Sequence, residues 1–261
     1  MPPAGGKGSA LITGASSGIG AELAVLCAAA GYDVILVARR TDRLRDLAVR
    51  LERDHGTRAR TLAADLSQSD SLEAIFASTR GERVEILINN AGFGARGAFA
   101  KTDWNAEAGL LQVNAFALAH LTKLFLPEML ARRSGRILNV ASTAAFVPGP
   151  FMAMYYASKA FVVSFSHSIA EEVRGTGVSV TVVCPGPTRT EFVQAAGMGN
   201  TNLFKGPVME AGEVARIGFR AMMDGKAEVI AGARNRWMIW GARFAPRTML
   251  AGAMRRLNSD Q

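Results

Sequence analysis

Short apolar runs alternate with longer amphipathic segments along most of this chain. The runs are rich in valine, isoleucine and leucine, and they predict strands at residues 10–13, 33–38, 59–63, 86–89, 136–140, 179–183 and 228–230. Apolar strands that alternate with helical segments are typical of a parallel sheet covered on both faces. We therefore predict a doubly wound α/β fold with a mostly parallel seven-stranded sheet. Its ligand crevice should lie at the carboxyl ends of the strands.

Length and composition favour a single domain over residues 1–261. The chain is 49% hydrophobic and 20% charged, which argues against disorder and permits a large core. Cys27 and Cys184 lie in apolar stretches, so we expect buried thiols rather than the disulfides of a small secreted fold. Residues 1–9 lack the apolar core of a signal peptide, and we expect a cytoplasmic location.

The positive charge is concentrated in the last part of the chain. The net charge is +8, and residues 229–259 contain six arginines and no acidic residue. The arginines alternate with aromatic and aliphatic residues, so residues 231–261 read as a basic amphipathic extension. A membrane-surface helix is one interpretation. We favour packing against the body or a partner subunit, because apolar helical faces are usually buried. No nucleic-acid recognition motif accompanies the charge, and we expect no nucleic-acid partner.

A glycine-rich turn, TGASSGIG, follows the first predicted strand. It contains Gly14, Ser16, Ser17, Gly18, Ile19 and Gly20. Glycines permit a tight turn and let a phosphate approach backbone N–H groups, and the N-terminus of the next helix adds partial positive charge. The turn by itself also matches an ordinary connection between a strand and a helix.

Two arginines follow the second predicted strand, at the place where an NAD-binding fold of this kind needs a carboxylate for the ribose. Ala38 occupies that position, and Arg39 and Arg40 come next. A guanidinium is a planar donor fork suited to phosphate oxygens, so the pair favours a cofactor with a 2′-phosphate, NADP(H). The alternative is that both arginines are solvated charges that introduce the next helix.

Polar and small residues follow the third and fourth predicted strands. The carboxylate of Asp65 could bind the adenine amino group while the backbone at Leu66 orients the base, although Asp65 could equally cap a helix. Asn90, Ala91 and Gly92 follow the fourth strand. Their small size would let the backbone approach a cofactor, and the asparagine side chain would bond neighbouring loops.

Candidate catalytic residues follow the fifth predicted strand. Ser142 comes first, and Tyr155 and Lys159 are spaced i,i+4 in the next predicted helix. That spacing places both side chains on one helical face, where the lysine charge should draw the phenol pKa below its ordinary value of about 10. Tyr156 lacks this offset. The three histidines have no metal-ligand spacing, so we predict no metal site.

In their order, these motifs resemble the short-chain dehydrogenase/reductase family over almost the whole chain. The resemblance rests on TGASSGIG, NNAG at 89–92, Asn114, Ser142, YxxxK at 155–159 and PGPTRT at 185–190. It implies a Rossmann fold in which Tyr155 is the acid/base, Lys159 holds the nicotinamide ribose and Ser142 orients the carbonyl. It also implies that Asn114 stabilises a water in a proton relay.

The same resemblance assigns a nicotinamide-binding loop after the sixth strand. Its residues are Pro185, Gly186, Thr188 and Thr190. Thr188 and backbone groups would bind the carboxamide side of the ring, and Thr190 would add a phosphate contact.

We therefore predict an NADP(H)-dependent oxidoreductase that transfers hydride between nicotinamide and a carbonyl or alcohol substrate. The alternative is a catalytically silent dinucleotide-sensing or interaction protein on the same fold, against which the intact candidate catalytic residues argue. Residues 191–208 combine apolar side chains with glycines, which predicts a substrate lid and an apolar small-molecule substrate. Helices at 105–131 and 155–174 have too many apolar positions for one sheet-facing stripe, so we predict a homo-oligomer.

Overall fold

A computed structural model describes residues 7–197, 201–202 and 206–259. The strands are β1 (Ser9–Thr13), β2 (Asp33–Ala38), β3 (Ala59–Ala63), β4 (Val84–Asn89), β5 (Gly135–Val140), β6 (Val178–Cys184), β7 (Thr188–Arg189), β8 (Met209–Glu210) and β9 (Glu228–Ile230). The α-helices are α1 (Gly18–Ala29), α2 (Thr41–His55), α3 (Ser69–Ser78), α4 (Trp104–Leu111), α5 (Leu118–Ala131), α6 (Ala153–Glu172), α7 (Glu191–Ala195), α8 (Ala211–Met223), α9 (Ala233–Ala242) and α10 (Arg247–Asn258). Each predicted strand is present.

Seven of these strands form one sheet with every neighbouring pair parallel. Their order is β3-β2-β1-β4-β5-β6-β9. The chain moves outward from β1 to β3 and then returns to the other side of β1 at β4. The carboxyl ends of β1 and β4 therefore flank a topological switch point. The predicted doubly wound α/β fold is confirmed. The hydrophobic pattern does not predict β7 and β8, because two-residue strands are too short to show a period.

Helices cover both faces of the sheet. On one face, α1, α2 and α8 bury Leu23, Leu44 and Met222 against the strands. On the other face, α3 and α5 meet where the rings of Phe76 and Phe125 contact edge-on, with centroids 5.1 Å apart. Phe125 is buried, and removing such a side chain from water contributes about 1.5–3 kcal/mol. The two layers hold the strand ends in fixed positions.

One helical run is long and unusually apolar. α4, a π-helical stretch (Gln112–Ala117) and α5 are continuous over Trp104–Ala131, and by length and composition alone this run could cross a membrane. In the fold, 44% of the most apolar 18-residue stretch of this run is buried, and Leu121 and Met129 pack in the core beneath the sheet. The run therefore has one side in the core and another side outside it, where Phe116 is exposed.

The basic extension forms α9 and α10, which we call the C-terminal helices. Ile239 of α9 is buried, and Asn258 of α10 is fully buried. The backbone carbonyl of Asn258 accepts a hydrogen bond of 2.8 Å from Arg96 Nε. One face of the extension therefore packs against the body, as expected from the sequence, while the other face remains exposed.

Candidate active site

A cleft of about 1120 Å³ opens along the carboxyl ends of the central strands. Its lining includes Gly14, Ser16, Ser17, Gly18, Ile19, Arg39, Arg40, Asp65, Leu66, Asn90, Ala91, Gly92, Ser142, Tyr155, Lys159, Pro185, Gly186, Thr188 and Thr190. Of the site residues predicted from the sequence, Gly20 and Asn114 do not line the cleft, and each contacts residues that do. The fold thus gathers the predicted residues into one place.

The glycine-rich turn is fastened to the loop after β4. Asn90 Nδ2 donates to the carbonyls of Thr13 at 2.9 Å and Gly14 at 3.2 Å. Thr13 Oγ1 accepts from the backbone N–H groups of Asn90 at 3.0 Å and Ala91 at 3.1 Å. A Cβ at Gly14, where φ is +67°, would lie 2.8 Å from Asn90 Nδ2, and a Cβ at Gly20 would lie 2.4 Å from the same atom. Close packing of the two loops therefore requires glycine at both positions.

Arg40 joins the glycine-rich turn to the start of α7. Its guanidinium donates to Ser16 Oγ at 3.0 Å, to Ser17 Oγ at 2.8 Å and to Glu191 at 2.6 Å. Arg43 donates to the same carboxylate, and the hydrogen bonds from Arg43 and Arg40 lower the pKa of Glu191 to about 2. Arg40 is therefore a bonded part of the cleft wall, and it is also the 42% exposed residue that precedes α2. Nothing in the sequence marks Glu191 as its partner.

Arg39 and Asp65 border the same region of the cleft. Arg39 makes no hydrogen bond or ion pair with a described residue. Asp65 Oδ1 accepts from the backbone N–H of Ser67 at 3.0 Å and from its hydroxyl at 2.9 Å, and these bonds hold the pKa of Asp65 below its usual range. The helix-cap alternative for Asp65 is wrong, because the residue before α3 is Gln68. Leu66 is buried beside this turn.

Ser142, Tyr155 and Lys159 meet in the cleft. Ser142 follows β5, and the other two lie one turn apart in α6. The ammonium of Lys159 lies 5.9 Å from the centroid of the Tyr155 ring and donates to the Val140 carbonyl at 2.9 Å. Ser142 Oγ lies 3.4 Å from the carbonyl of Pro185, to which it donates. The i,i+4 spacing thus brings the phenol and the ammonium together, and a hydrogen bond joins the Ser142 hydroxyl to the phenol.

Burial controls the protonation of this cluster. Tyr155 is 8% exposed and Lys159 is 5% exposed. Desolvation raises the pKa of Tyr155 to about 12, opposed by a hydrogen bond with Ser142, and it lowers the pKa of Lys159 to about 8. The prediction that the lysine charge draws the phenol pKa down is wrong for the protein alone, because burial disfavours both charged forms. The phenol therefore stays protonated at neutral pH, ready to donate.

The buried lysine makes the stability of the protein depend on pH. A lysine with a depressed folded pKa costs folding free energy below about pH 8, and the cost disappears as pH rises towards 10.5. Lys159→Met should therefore increase the free energy of unfolding near neutral pH by up to roughly 3 kcal/mol, less the lost hydrogen bond. Denaturant titrations of both cofactor-free proteins at several pH values measure the difference. A gain that does not shrink between pH 8 and 10.5 would contradict this prediction.

Asn114 positions the loop after β4. It lies in the π-helical stretch, where its Oδ1 accepts from the Phe93 backbone N–H at 3.0 Å. Its Nδ2 donates to the Phe93 carbonyl at 2.9 Å and to Ser158 Oγ at 3.1 Å. A Cβ at Gly92 would lie 3.0 Å from Asn114 Oδ1 and 3.5 Å from Lys159 Nζ. Both side-chain N–H donors of Asn114 are in use. A water of the predicted proton relay would therefore bond mainly to the backbone of Asn114.

Tyr156 has different surroundings from Tyr155. Its hydroxyl accepts a hydrogen bond of 3.2 Å from Asn258 Nδ2, which also donates to the Pro150 carbonyl at 3.0 Å. A Cβ at Gly149 would overlap the Tyr156 ring, at 2.1 Å from its Cγ. Tyr156 thus joins α6 to α10, which agrees with the choice of Tyr155 as the reactive phenol. Sequence reasoning missed Asn258, because a lone asparagine 102 residues downstream carries no pattern.

The loop after β6 forms another wall of the cleft. Thr188 Oγ1 donates to the carbonyl of Gly186 at 2.9 Å. Thr190 lies against the glycine-rich turn, since a Cβ at Gly18 would be 3.1 Å from Thr190 Cγ2. A Cβ at Gly186 would be 2.4 Å from Asn235 Nδ2, so α9 packs directly on this loop. Asn235 is a second cleft residue that carries no recognisable sequence signal.

The described residues include only part of the predicted lid, residues 191–208. Phe192 lines the cleft, and its ring centroid lies 5.4 Å from that of Tyr155. Gly206 and Pro207 also line the cleft. Three apolar residues of the predicted lid lie outside the described residues: Met198, Leu203 and Phe204. The lid remains a prediction.

The doubly wound sheet, the glycine-rich turn and the tyrosine, lysine and serine cluster together define a dinucleotide-binding oxidoreductase. Across residues 7–197, 201–202 and 206–259, no group of three or more histidine, cysteine or acidic side chains could hold a metal ion. The short chain dehydrogenase family model matches residues 9–200, and the chain belongs to this family.

Relatives and solved structures extend this result. A very-long-chain 3-oxoacyl-CoA reductase of Pyricularia oryzae is 37% identical over 185 residues, which cover 69% of this chain and 56% of that protein. The chain therefore spans little more than half the length of this relative. A short-chain dehydrogenase from Sphingobium yanoikuyae in complex with NADPH has 35% identity and a TM-score of 0.82, covering 90% of this chain and 93% of the other. A bulky-bulky ketone specific alcohol dehydrogenase from Comamonas testosteroni has 30% identity and a TM-score of 0.78, covering 90% and 92%.

Proposed function

We propose that the protein is an NADP(H)-dependent oxidoreductase that interconverts a carbonyl compound and an alcohol. The observation that carries the proposal is the meeting of the Tyr155 phenol, the Ser142 hydroxyl and the Lys159 ammonium in one cleft. A protonated phenol beside a hydroxyl donor suits a carbonyl oxygen that gains a proton as it is reduced. The alternative of a silent sensor gains no support from these contacts.

The residues of the cleft fit a dinucleotide with a 2′-phosphate. The turn at Gly14 and the first N–H groups of α1 suit the pyrophosphate. Arg39 and the hydroxyl of Ser16 would bind the 2′-phosphate, while Lys159 would hold the nicotinamide ribose. Thr188 would contact the carboxamide. The complex of the Sphingobium protein with NADPH supports this choice of cofactor.

Each catalytic side chain has a distinct task in this proposal. When bound, the nicotinamide supplies or accepts the hydride. Ser142 donates a hydrogen bond to the substrate oxygen and holds it beside the phenol of Tyr155. That phenol gives its proton to the oxygen in reduction and recovers it in oxidation. Lys159, buried next to the ring, stabilises the tyrosinate that forms in between.

We propose an apolar, bulky substrate. Phe192, Val147 and Met254 pack around Tyr155 in the cleft, and their side chains offer no charge to a substrate. Leu257 also lines the cleft. Two relatives support this class by name: the Comamonas enzyme is described as specific for bulky ketones, and the Pyricularia enzyme as a reductase of very-long-chain 3-oxoacyl-CoA.

A panel of carbonyl compounds tests the function. Small polar ketones, sugar-derived carbonyls, long-chain 3-oxoacyl thioesters and bulky steroid ketones are each mixed with NADPH, and its absorbance is followed. We expect turnover to rise from the polar to the bulky apolar compounds. Tight NADPH binding without oxidation by any compound would favour the silent sensor, and preference for small polar ketones would contradict the apolar substrate class.

We also propose that the protein is cytoplasmic and self-associates. Cys27 and Cys184 are both buried, free thiols, which suits a reducing compartment.

The predicted second apolar face has two exposed members, Phe116 at 60% and Phe161 at 42% exposure. Two-fold symmetry would bring such a face against its copy and remove it from water.

Self-association should be visible at micromolar concentration. We expect light scattering to show a dimer or larger species, and Phe161→Glu to shift it towards monomer because a charge would be buried at the interface. Phe99→Glu is the matched control, since Phe99 is 58% exposed outside the two helices concerned. A monomer in the unmodified protein, or equal effects of the two variants, would contradict the proposal.

A further inference from the structure

The outer face of the C-terminal helices exposes large apolar side chains to solvent. Trp237 is 70% exposed, Trp240 56%, Phe244 74% and Met249 63%. A soluble surface rarely leaves several such groups contiguous unless they bind something. We call this surface the aromatic–arginine face and include in it three exposed arginines that are adjacent in sequence to Trp237 and Phe244 or begin α10: Arg236, Arg243 and Arg247.

The aromatic side chains of this face form one continuous row. Trp237 and Trp240 meet with ring centroids 5.9 Å apart, and Trp240 and Phe244 meet at 5.2 Å, both in edge-on geometry. Their spacing of three and four residues keeps the row on one side of the helical segment. The three rings pack against one another and remain mostly exposed to solvent. Their exposed surface is therefore available to a ligand.

The charge of the face has one sign. Arg236, Arg243 and Arg247 are exposed and form no ion pair with a described residue. Residues 229–259 contain no acidic residue that could neutralise them. Rings of tryptophan and phenylalanine among unpaired arginines are the combination that inserts at the boundary between lipid headgroups and acyl chains.

The inner side of the same helices lines the cleft. Met238, Ile239, Ala245, Leu250 and Met254 all border it. One pair of helices therefore has an exposed apolar face on the outside and an apolar cleft wall on the inside. A ligand of the outer face would lie next to the substrate end of the cleft.

We propose that the aromatic–arginine face docks on an anionic lipid bilayer. The arginines match the negative headgroups, and the aromatic row enters the boundary beneath them. A second copy of this chain fits less well, because two-fold packing would bring unpaired arginines together with no acidic partner on the face. The docking does not rest on the proposed reaction, since vesicle binding needs neither substrate nor cofactor.

Tryptophan fluorescence reports the docking directly. The chain has three tryptophans, and Trp104→Phe leaves only Trp237 and Trp240, both on the proposed face. The W104F protein is titrated with phosphatidylcholine vesicles that do or do not contain phosphatidylserine. We expect an emission shift to shorter wavelength and quenching by brominated acyl chains only with the anionic vesicles, weakened by added salt.

Two sets of substitutions separate the charges from the rings. Replacing Arg236, Arg243 and Arg247 together by glutamine should lower the vesicle partition coefficient about a hundredfold. Replacing Trp237, Trp240 and Phe244 together by alanine should lower the partition coefficient by a similar factor. Sedimentation with the vesicles measures both effects. The matched control replaces Arg45, Arg50 and Arg80 by glutamine, which removes the same charge elsewhere. Circular dichroism and NADPH binding confirm that each variant is folded.

Several outcomes would overturn the proposal. One is the absence of an emission shift with anionic vesicles, and another is an equal loss of binding in the control variant. A third is a pair of results: the unmodified protein does not bind vesicles, and light scattering shows a dimer that is lost when Trp237, Trp240 and Phe244 are replaced. That pair would assign the face to a second copy of the chain. Specific binding to nucleic acid with none to vesicles would likewise reject a lipid partner.

Discussion

Tyr155→Phe should reduce turnover by about a hundredfold to ten-thousandfold, the usual contribution of a positioned general acid. The substitution removes the hydroxyl that Ser142 contacts and keeps the ring that packs on Phe192. Fold and NADPH affinity should therefore be nearly unchanged. Steady-state rates with the best carbonyl of the panel, together with NADPH titration by fluorescence, measure both quantities.

Tyr156→Phe is the matched control for that experiment. Tyr156 bonds to Asn258 and joins α10 to α6, so its loss should destabilise the packing of α10 and change the rate far less. Retained activity in Tyr155→Phe, with loss in Tyr156→Phe, would show that the other phenol is the proton donor. The comparison is sharp because the two residues are adjacent and only their surroundings differ.

NADPH should bind more tightly than NADH, and Arg39→Ala should remove most of the difference. Arg39 borders the cleft and makes no hydrogen bond with a described residue, so its replacement should remove the proposed 2′-phosphate contact without breaking a structural hydrogen bond. A charge-assisted contact of this kind is worth about 1.5–3 kcal/mol, and the NADPH dissociation constant should therefore rise roughly tenfold to a hundredfold. Isothermal titration with each cofactor gives the two constants.

Two further variants separate the contribution of Arg39 from general charge. Arg45→Ala removes an exposed arginine of α2 and should leave both affinities unchanged. Arg40→Ala should weaken NADH as well as NADPH, because Arg40 also holds Ser16 and Ser17 in the turn. Equal affinity of the unmodified protein for the two cofactors would refute the NADP(H) assignment.

The parts of this molecule that follow from local periodicity could be predicted from its sequence. Apolar runs mark the seven main strands, and their parallel arrangement places every strand-end motif at one edge of the sheet. The i,i+4 offset of Tyr155 and Lys159 needs only helical geometry to bring them together. These predictions succeed because each depends on residues close in sequence or on a general rule of the fold.

The rest depends on contacts between distant segments. Glu191 meets Arg40 across 151 residues, and Asn258 reaches Tyr156 across 102, so neither pair leaves a trace in a local pattern. The direction of the Tyr155 pKa shift also escaped prediction, because it is set by burial that the whole fold creates. The sequence shows the charge of Lys159 near Tyr155, but it does not show how far the fold removes both side chains from water.

The long reach of Asn258 also bears on how the cleft opens. Its carbonyl is bonded to Arg96, 162 residues away, and closing so large a loop is slow, so α10 should dock after the sheet has formed. Ile239 is the buried residue of α9 and Asn258 that of α10, whereas β4 and β5 are buried along almost their whole length, so the two helices have the smaller share of the core. The pair should detach as a separate cooperative unit at a lower free energy than global unfolding, with amide hydrogens that exchange faster than those of β4 and β5. Entry of a bulky molecule into the cleft would then depend on this partial unfolding of α9 and α10, while the sheet stays native.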